Sequence, residues 1–159
     1  MAYPVLYRMR HAQASGARVM AGQGEYPLTD EGRRQAMAWQ PFFTANPVRA
    51  VWTSPLSRAR RTAELALGGD CPPLRIVPAL REISLGLWEG KSGAWVREHF
   101  PEAWDARGRD FFRVAPPEGE SLAMLAERVL PAFRKILAEA SGYPASLVVA
   151  HRAVNGVIL

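Results

Sequence analysis

The sequence has one cysteine, Cys71, three histidines and, among 20 basic residues, only two lysines. A lone Cys excludes an internal disulfide framework and any multi-Cys zinc or iron–sulfur site. It also fits a reducing compartment. The histidines, His11, His99 and His151, show no paired metal-ligand spacing. No Gly-rich nucleotide-phosphate loop is present. Arg75 follows Cys71 too closely to form the phosphate cradle of a cysteine phosphatase. No apolar run approaches the roughly 20 residues that a membrane helix needs. The segment Met1 to Arg10 is too short and too interrupted by Arg to serve as a signal peptide. The expectation is a soluble, cytoplasmic protein. Within its 159 residues, 48% are hydrophobic and 22% charged, which suits one domain with a real core rather than a disordered chain. The net charge of +5 rests on 18 Arg. It suggests an anionic partner, and Arg is the better bidentate ligand for phosphate and carboxylate.

The order of elements reads as alternating strands and helices. Residues 4–10 form a strand that runs into Arg10-His11, and residues 12–28 a loop. Thr29 caps a helix bearing Asp30 and Glu31 in its first turn, where carboxylates suit the helix dipole. Pro41 should kink or end that helix. A second strand, 48–53, leads to Ser54-Pro55, read as N-cap and first residue of a helix reaching about Leu67, where Gly68-Gly69 stops it. A third strand lies within 74–79, with Glu82 just beyond. Residues 82–117 read as irregular and aromatic-rich, holding Trp88, Trp95, Phe100, Trp104, Phe111 and Phe112. A long helix then begins at the cap Ser121, with Leu122, Leu125, Val129, Phe133 and Ile136 as its core-facing stripe and Pro131 as a kink. The fourth strand, 146–150, ends at His151.

This order implies an α/β fold, a three-layer α/β/α sandwich with a mostly parallel sheet. Ligands bind outside the carboxyl ends of such strands. Arg10-His11, Ser54 to Arg58, Glu82 and His151 follow the four strands in turn. Two His, two Arg and one Glu on one rim suit phosphoryl transfer. Arg10 and Arg58 can neutralise a phosphomonoester bidentately. A neutral His11, kept so by neighbouring Arg charge, can attack phosphorus. His151 can hydrogen-bond the equatorial oxygens, and Glu82 can protonate the leaving oxygen if burial raises its pKa.

Six segments resemble one family. Arg10-His11-Ala12-Gln13-Ala14-Ser15 is similar to the "RHG" signature of the histidine phosphatase (phosphoglycerate mutase-like) superfamily, and Pro27 to Gly32 to its "PLTxxG" segment. Ser54-Pro55-Leu56-Ser57-Arg58-Ala59 with Thr62-Ala63 resembles its "SPLxRAxxTA" helix start. Arg81-Glu82-Ile83 through Gly86, Trp88, Glu89 and Gly90 resembles "REIxxGxWEG", and Pro117-Glu118-Gly119-Glu120-Ser121 resembles "PxGES". Val148 to His151 is similar to the strand ending in the family's second catalytic His. The resemblance implies a phosphoglycerate mutase-like fold and a metal-independent, cofactor-free phosphomonoester phosphatase working through a phosphohistidine. His11, Glu82 and His151 would be catalytic, and Arg10, Arg58, Gln13 and Arg152 would bind substrate. The partner would be a small phosphorylated metabolite, with no nucleic acid and no membrane; a homodimer is left open.

Three positions depart from the family pattern. Ala12 replaces a Gly, Arg8 occupies a normally apolar strand position, and Arg152-Ala153 stand where two Gly are usual. The last pair can crowd phosphate at the helix N-terminus. Family members also continue beyond the equivalent of Leu159, so the resemblance implies further chain there. Two other readings stay open, a mutase-type isomerase and a catalytically silent phosphoester-binding protein. The spacing of only 36 positions from Glu82 to Glu118 favours the phosphatase. Residues 83–117 are expected to form a mobile lid that reads the organic part of the substrate, through Trp95 and Arg113 among others, with His99 a non-catalytic lid residue.

Overall fold

The computed structural model describes residues 3–16 and 18–159. Four parallel strands form one sheet in the order β1-β4-β2-β3: β1 Val5–Arg10, β2 Ala50–Thr53, β3 Leu74–Ile76 and β4 Ala145–Ala150. Strand β4 is hydrogen-bonded on both sides, Arg10 facing Ala150 across one ladder and Thr53 facing Val149 across the other. Leu147, Val148, Val149 and Ala150 are fully buried. Their unbroken apolar run is what a strand covered on both faces requires.

Alternation along the strands sorts the core into two faces. Ala50, Trp52, Val148 and Ala150 pack with Leu125, Val129 and Ile136 of α6 (Leu122–Ala140) and Val154 of α7 (Arg152–Ile158). Val51, Leu147 and Val149 pack with Phe43 of α2 (Gln40–Ala45) and with Ala59, Ala63 and Ala66 of α3 (Ser57–Leu67). Helix α1 (Asp30–Met37) lies against α3. The result is the expected three-layer arrangement. The Ala row on α3 lets that helix sit close to the sheet, which brings its N-terminal Arg58 over the strand ends.

Caps and breakers decide several boundaries. Thr29 and Ser121 cap α1 and α6, accepting from the Gly32 and Met124 N–H groups. Gly68, at φ 60°, ends α3. Around Pro41 the chain makes two helices, with the break at Ala38-Trp39 and Pro41 in the first turn of α2, where its missing N–H costs nothing. Helix α6 is continuous through Pro131.

Two readings of the sequence need correction. Ser54 caps no helix: Leu56 is extended (ψ 134°) and is itself the residue before α3, so the helix starts at Ser57. Residues 82–117 are not irregular. They carry α4 (Gly93–His99), capped by Ser92, and α5 (Pro101–Arg109), begun by Pro101. Trp88 is buried there against Trp104, while Trp95 stacks on His99 at 3.9 Å and Lys91 covers the Trp95 ring at 4.8 Å. Arg8 is exposed and donates to the Asn155 carbonyl on α7. Among the described residues no helix is long and apolar enough to cross a membrane.

The two faces of α6 separate in stability. Leu125→Ala, at a fully buried position, should lower unfolding free energy by about 2–5 kcal/mol in urea denaturation. Leu137→Ala, where the side chain is 46% exposed, should change it by less than about 0.5 kcal/mol. Similar losses at both positions would contradict the packing of this helix.

Candidate active site

The backbone ladder of the sheet runs on past the strands into the site. The His11 N–H donates to Ala150 O at 2.9 Å, and the Ser54 N–H to Val149 O at 3.2 Å. These bonds set the residues after β1 and β2 against the residue after β4. The rings of His11 and His151 consequently lie 5.1 Å apart, centroid to centroid. His11 Nδ1 is 2.7 Å from the Ala12 carbonyl. A carbonyl only accepts, so Nδ1 carries the proton and Nε2 carries the lone pair. The Ala12 N–H donates to Thr62 Oγ1, whose hydroxyl donates to Arg58 O. The residue after His11 is thereby tied to α3.

A cavity of about 620 Å³ opens over these strand ends. Arg10, His11, Gln13, Arg58, Glu82 and Arg152 line it. Arg58 is 2% exposed, and its guanidinium donates to Gly24 O (2.6 Å) and Gly22 O (2.7 Å). Gly22 has φ 46°, and a Cβ there would strike the Glu89 carboxylate, so this turn of the loop requires glycine. Gly32 on α1 is needed for a different reason: a Cβ would run into the Gln13 carbonyl. Arg10 and Arg152 are exposed, and their side chains make no hydrogen bond or ion pair among the described residues. The Gln13 side-chain oxygen accepts from Thr29 Oγ1 at 3.0 Å. His151 stands behind His11 with no exposed surface, rather than on the cavity wall.

Burial tunes the titrating groups. It is the main cause that lowers His11 to about 4, opposed by the Ala12 carbonyl and reinforced by Arg58 and then Arg10. Burial also drives His151 down, with His11 and the same arginines adding to it. Glu82 moves the other way: burial raises its carboxyl, against the Ile83 and Ala153 N–H groups and the Arg58 and Arg10 charges. The sequence reading assigned a neutral His11 to nearby Arg charge; desolvation is the larger cause. The site therefore presents uncharged imidazoles and a readily protonated carboxyl beneath arginine cations.

All seven residues singled out in the sequence gather at this one end of the sheet, six on the cavity wall and His151 directly behind. None of residues 83–117 lines the cavity; the remaining wall comes from the 12–28 loop, including Val19, Ala21 and Tyr26, and from Gln35. The aromatic segment instead braces that loop. Met20 N–H donates to Lys91 O, and Gly90 N–H to Met20 O. Trp95 contacts both His99 and the Lys91 ammonium. Ser54 was missed as a site residue: its hydroxyl accepts from Leu56 N–H and lies 2.7 Å from His151 Nε2. Its only sequence signal was the "SPL" segment. Ala153 donates its N–H to Glu82 Oε2 at 3.4 Å.

Comparison with known proteins agrees with this geometry. The profile of the histidine phosphatase superfamily (branch 1) matches residues 6–159. The chain belongs to this superfamily. It is 30% identical over 156 residues to the adenosylcobalamin/α-ribazole phosphatase of Salmonella typhimurium, covering 97% of this chain and 77% of that one. It is 31% identical over 156 residues to the 6-phosphofructo-2-kinase/fructose-2,6-bisphosphatase of Gallus gallus. There it covers 97% of this chain but spans 32% of the relative's length. The crystal structure of the α-ribazole phosphatase from Shigella flexneri superposes with a TM-score of 0.90 at 28% identity, over 96% of this chain and 76% of that one.

The depressed His11 pKa has a measurable consequence. In an imidazole NMR titration His11 should stay neutral from pH 8 to 5 and protonate only near pH 4. The unfolded chain, with His near 6.5, takes up its proton first, so stability should fall as pH drops from about 6.5 toward 4. His11→Gln should make that part of the curve shallower in urea denaturation, the slope that remains coming from His151, which burial also depresses. A His11 midpoint near 6.5 would contradict the burial of the ring.

Proposed function

We propose that the protein is a phosphomonoester phosphatase that works through a phosphohistidine on His11. The observation that carries this reading is the neutral, half-buried His11 with its Nε2 lone pair free, beside His151 in a cavity that also holds Arg10, Arg58 and a Glu82 whose carboxyl is biased toward protonation. The substrate phosphate takes its charge balance from Arg10 and Arg58. His11 Nε2 attacks phosphorus while the bond to the leaving oxygen breaks. Glu82 gives that oxygen its proton, so the product leaves as an alcohol. In the second half, water attacks the phosphoryl group, the Glu82 carboxylate takes the water proton, the P–N bond breaks, and phosphate leaves a neutral His11.

His151 is assigned the hydrogen bond to a phosphoryl oxygen, which requires its wholly buried ring to be uncovered as phosphate enters beside His11. Its Nε2 faces Ser54 Oγ, and its buried Nδ1 has no protein partner. The Ser54 hydroxyl accepts from Leu56, and the tautomer assigned to His151 has that hydroxyl donating to Nε2, with the imidazole proton on the unpartnered Nδ1. Arg152 and Gln13 are assigned to the substrate beyond the phosphate. The names of the relatives, an α-ribazole phosphatase and a fructose-2,6-bisphosphatase, support a small phosphorylated metabolite as substrate class. The cavity volume is that of a site for a small organic molecule rather than for phosphate alone.

His11→Ala should abolish turnover, because nothing else forms the covalent bond. Glu82→Gln should cost an alkyl phosphate roughly 10²–10⁴-fold and a nitrophenyl phosphate far less, since nitrophenolate needs little protonation to leave. Steady-state kinetics on both substrates check this. Wild-type rates in His11→Ala would overturn the mechanism. Equal losses in Glu82→Gln would move the proton donor elsewhere.

A further inference from the structure

The Glu82 carboxyl sits on a loop, yet the reading above asks it to hold a fixed position over a leaving oxygen. Its own side-chain bonds are two backbone N–H groups, Ile83 at 2.9 Å and Ala153 at 3.4 Å. What fixes the loop is an ion pair outside the cavity. Arg128, in the second turn of α6, donates from Nη1 to Ala79 O (2.6 Å) and Arg81 O (3.0 Å), and from Nη2 to Glu82 O (3.0 Å). Its Nε and Nη2 also donate to the two Glu120 oxygens at 2.7 and 2.8 Å. Glu120 Oε2 in turn accepts the Ser84 N–H at 2.8 Å, and the Glu120 N–H donates to Ser84 O at 2.8 Å. The backbone is therefore gripped at 79, 81, 82 and 84, on both sides of the Glu82 side chain.

Both partners are largely buried, with side chains 25% and 18% exposed. A buried ion pair is a poor investment in stability alone, because desolvation offsets much of its attraction. Its bidentate fork is, however, a rigid fixture. The Arg charges that pull the Glu82 carboxyl down most are Arg58 and Arg10, while Arg128 is held in its ion pair with Glu120.

We infer that Glu120 and Arg128 are positioning residues for proton transfer by Glu82, an inference that rests on the phosphatase reading. They do not line the cavity, and their hydrogen bonds reach it through the backbone on both sides of Glu82. Loosening the grip should therefore reproduce, in weaker form, the leaving-group dependence of losing Glu82. A merely structural pair would lower all turnover alike.

The test uses Glu120→Gln, Arg128→Lys and Arg128→Leu, assayed on glycerol 2-phosphate and on 4-nitrophenyl phosphate. The expected result is a drop in kcat of about 10–100-fold on the alkyl ester and under about 3-fold on the aryl ester. Inhibition by inorganic phosphate should be retained, which shows an intact phosphate pocket. The alkaline limb of kcat should also shift in the variants. Combining Glu82→Gln with Arg128→Leu should cost the alkyl ester no more than Glu82→Gln alone, because a donor that is absent cannot be misplaced. If Arg128→Leu does not fold, the two milder variants carry the comparison. Equal losses on both esters, or additive losses in the double variant, would overturn the inference while Glu82→Gln still discriminates between the esters. If Glu82→Gln itself fails to discriminate, the donor reading is wrong and the positioning role falls with it.

Discussion

Everything at this site depends on the register of β4 between β1 and β2. A central strand bonded on both sides has its neighbours fixed in level, and here the bonds continue one residue beyond each strand, from His11 to Ala150 and from Ser54 to Val149. Three chemically capable residues, His11, Ser54 and His151, are thus set by main-chain geometry before any side-chain contact is made. A slip of one residue would turn Val149 and Val148 to opposite faces, undoing both core layers at once. The core enforces the register, and the register enforces the site.

Around that frame the same physical cause acts with opposite signs. Burial disfavours charge, so it keeps the two imidazoles neutral and the carboxyl protonatable. The arginines reinforce the first effect and oppose the second. Arg58 is the most constrained of them, held by two loop carbonyls rather than by an acid. It stays a full cation in the cavity wall because the loop carbonyls solvate it without cancelling its charge. Glu25, which it faces more distantly, is occupied by Ser57.

Much of this was legible in the sequence, and the limits of that legibility have physical reasons. Strand ends, the Thr29 and Ser121 caps and the α6 stripe are local patterns, and they were read correctly to within a few residues. The convergence of Arg10, His11, Arg58, Glu82 and His151 followed from parallel topology, which places successive strand ends on one rim. Ser54 was misread because Ser-Pro is a strong local signal for a helix start, whereas its hydroxyl is used by His151, 97 positions away. The 82–117 segment was misread as irregular because short helices broken by Pro101 leave too little periodicity. Trp88 packs on Trp104 and Trp95 on His99, and the cavity wall this segment was expected to supply comes from the 12–28 loop, whose Gly, Ala and Gln content carries no signal of its own. Arg128 had no motif at all; only its place on α6, two turns after Glu120, could have pointed to the pair.

The most direct test of the central claim is to trap the intermediate. The wild-type protein would be mixed with excess nitrophenyl phosphate, quenched in alkali within milliseconds, and digested for peptide mapping by mass spectrometry. The account predicts a phosphoryl group on the peptide containing His11, stable in alkali and lost in acid, and decaying no more slowly than turnover once the substrate is removed. Turnover without any phosphorylated His11 peptide, or a phosphoryl group found at another residue, would contradict it.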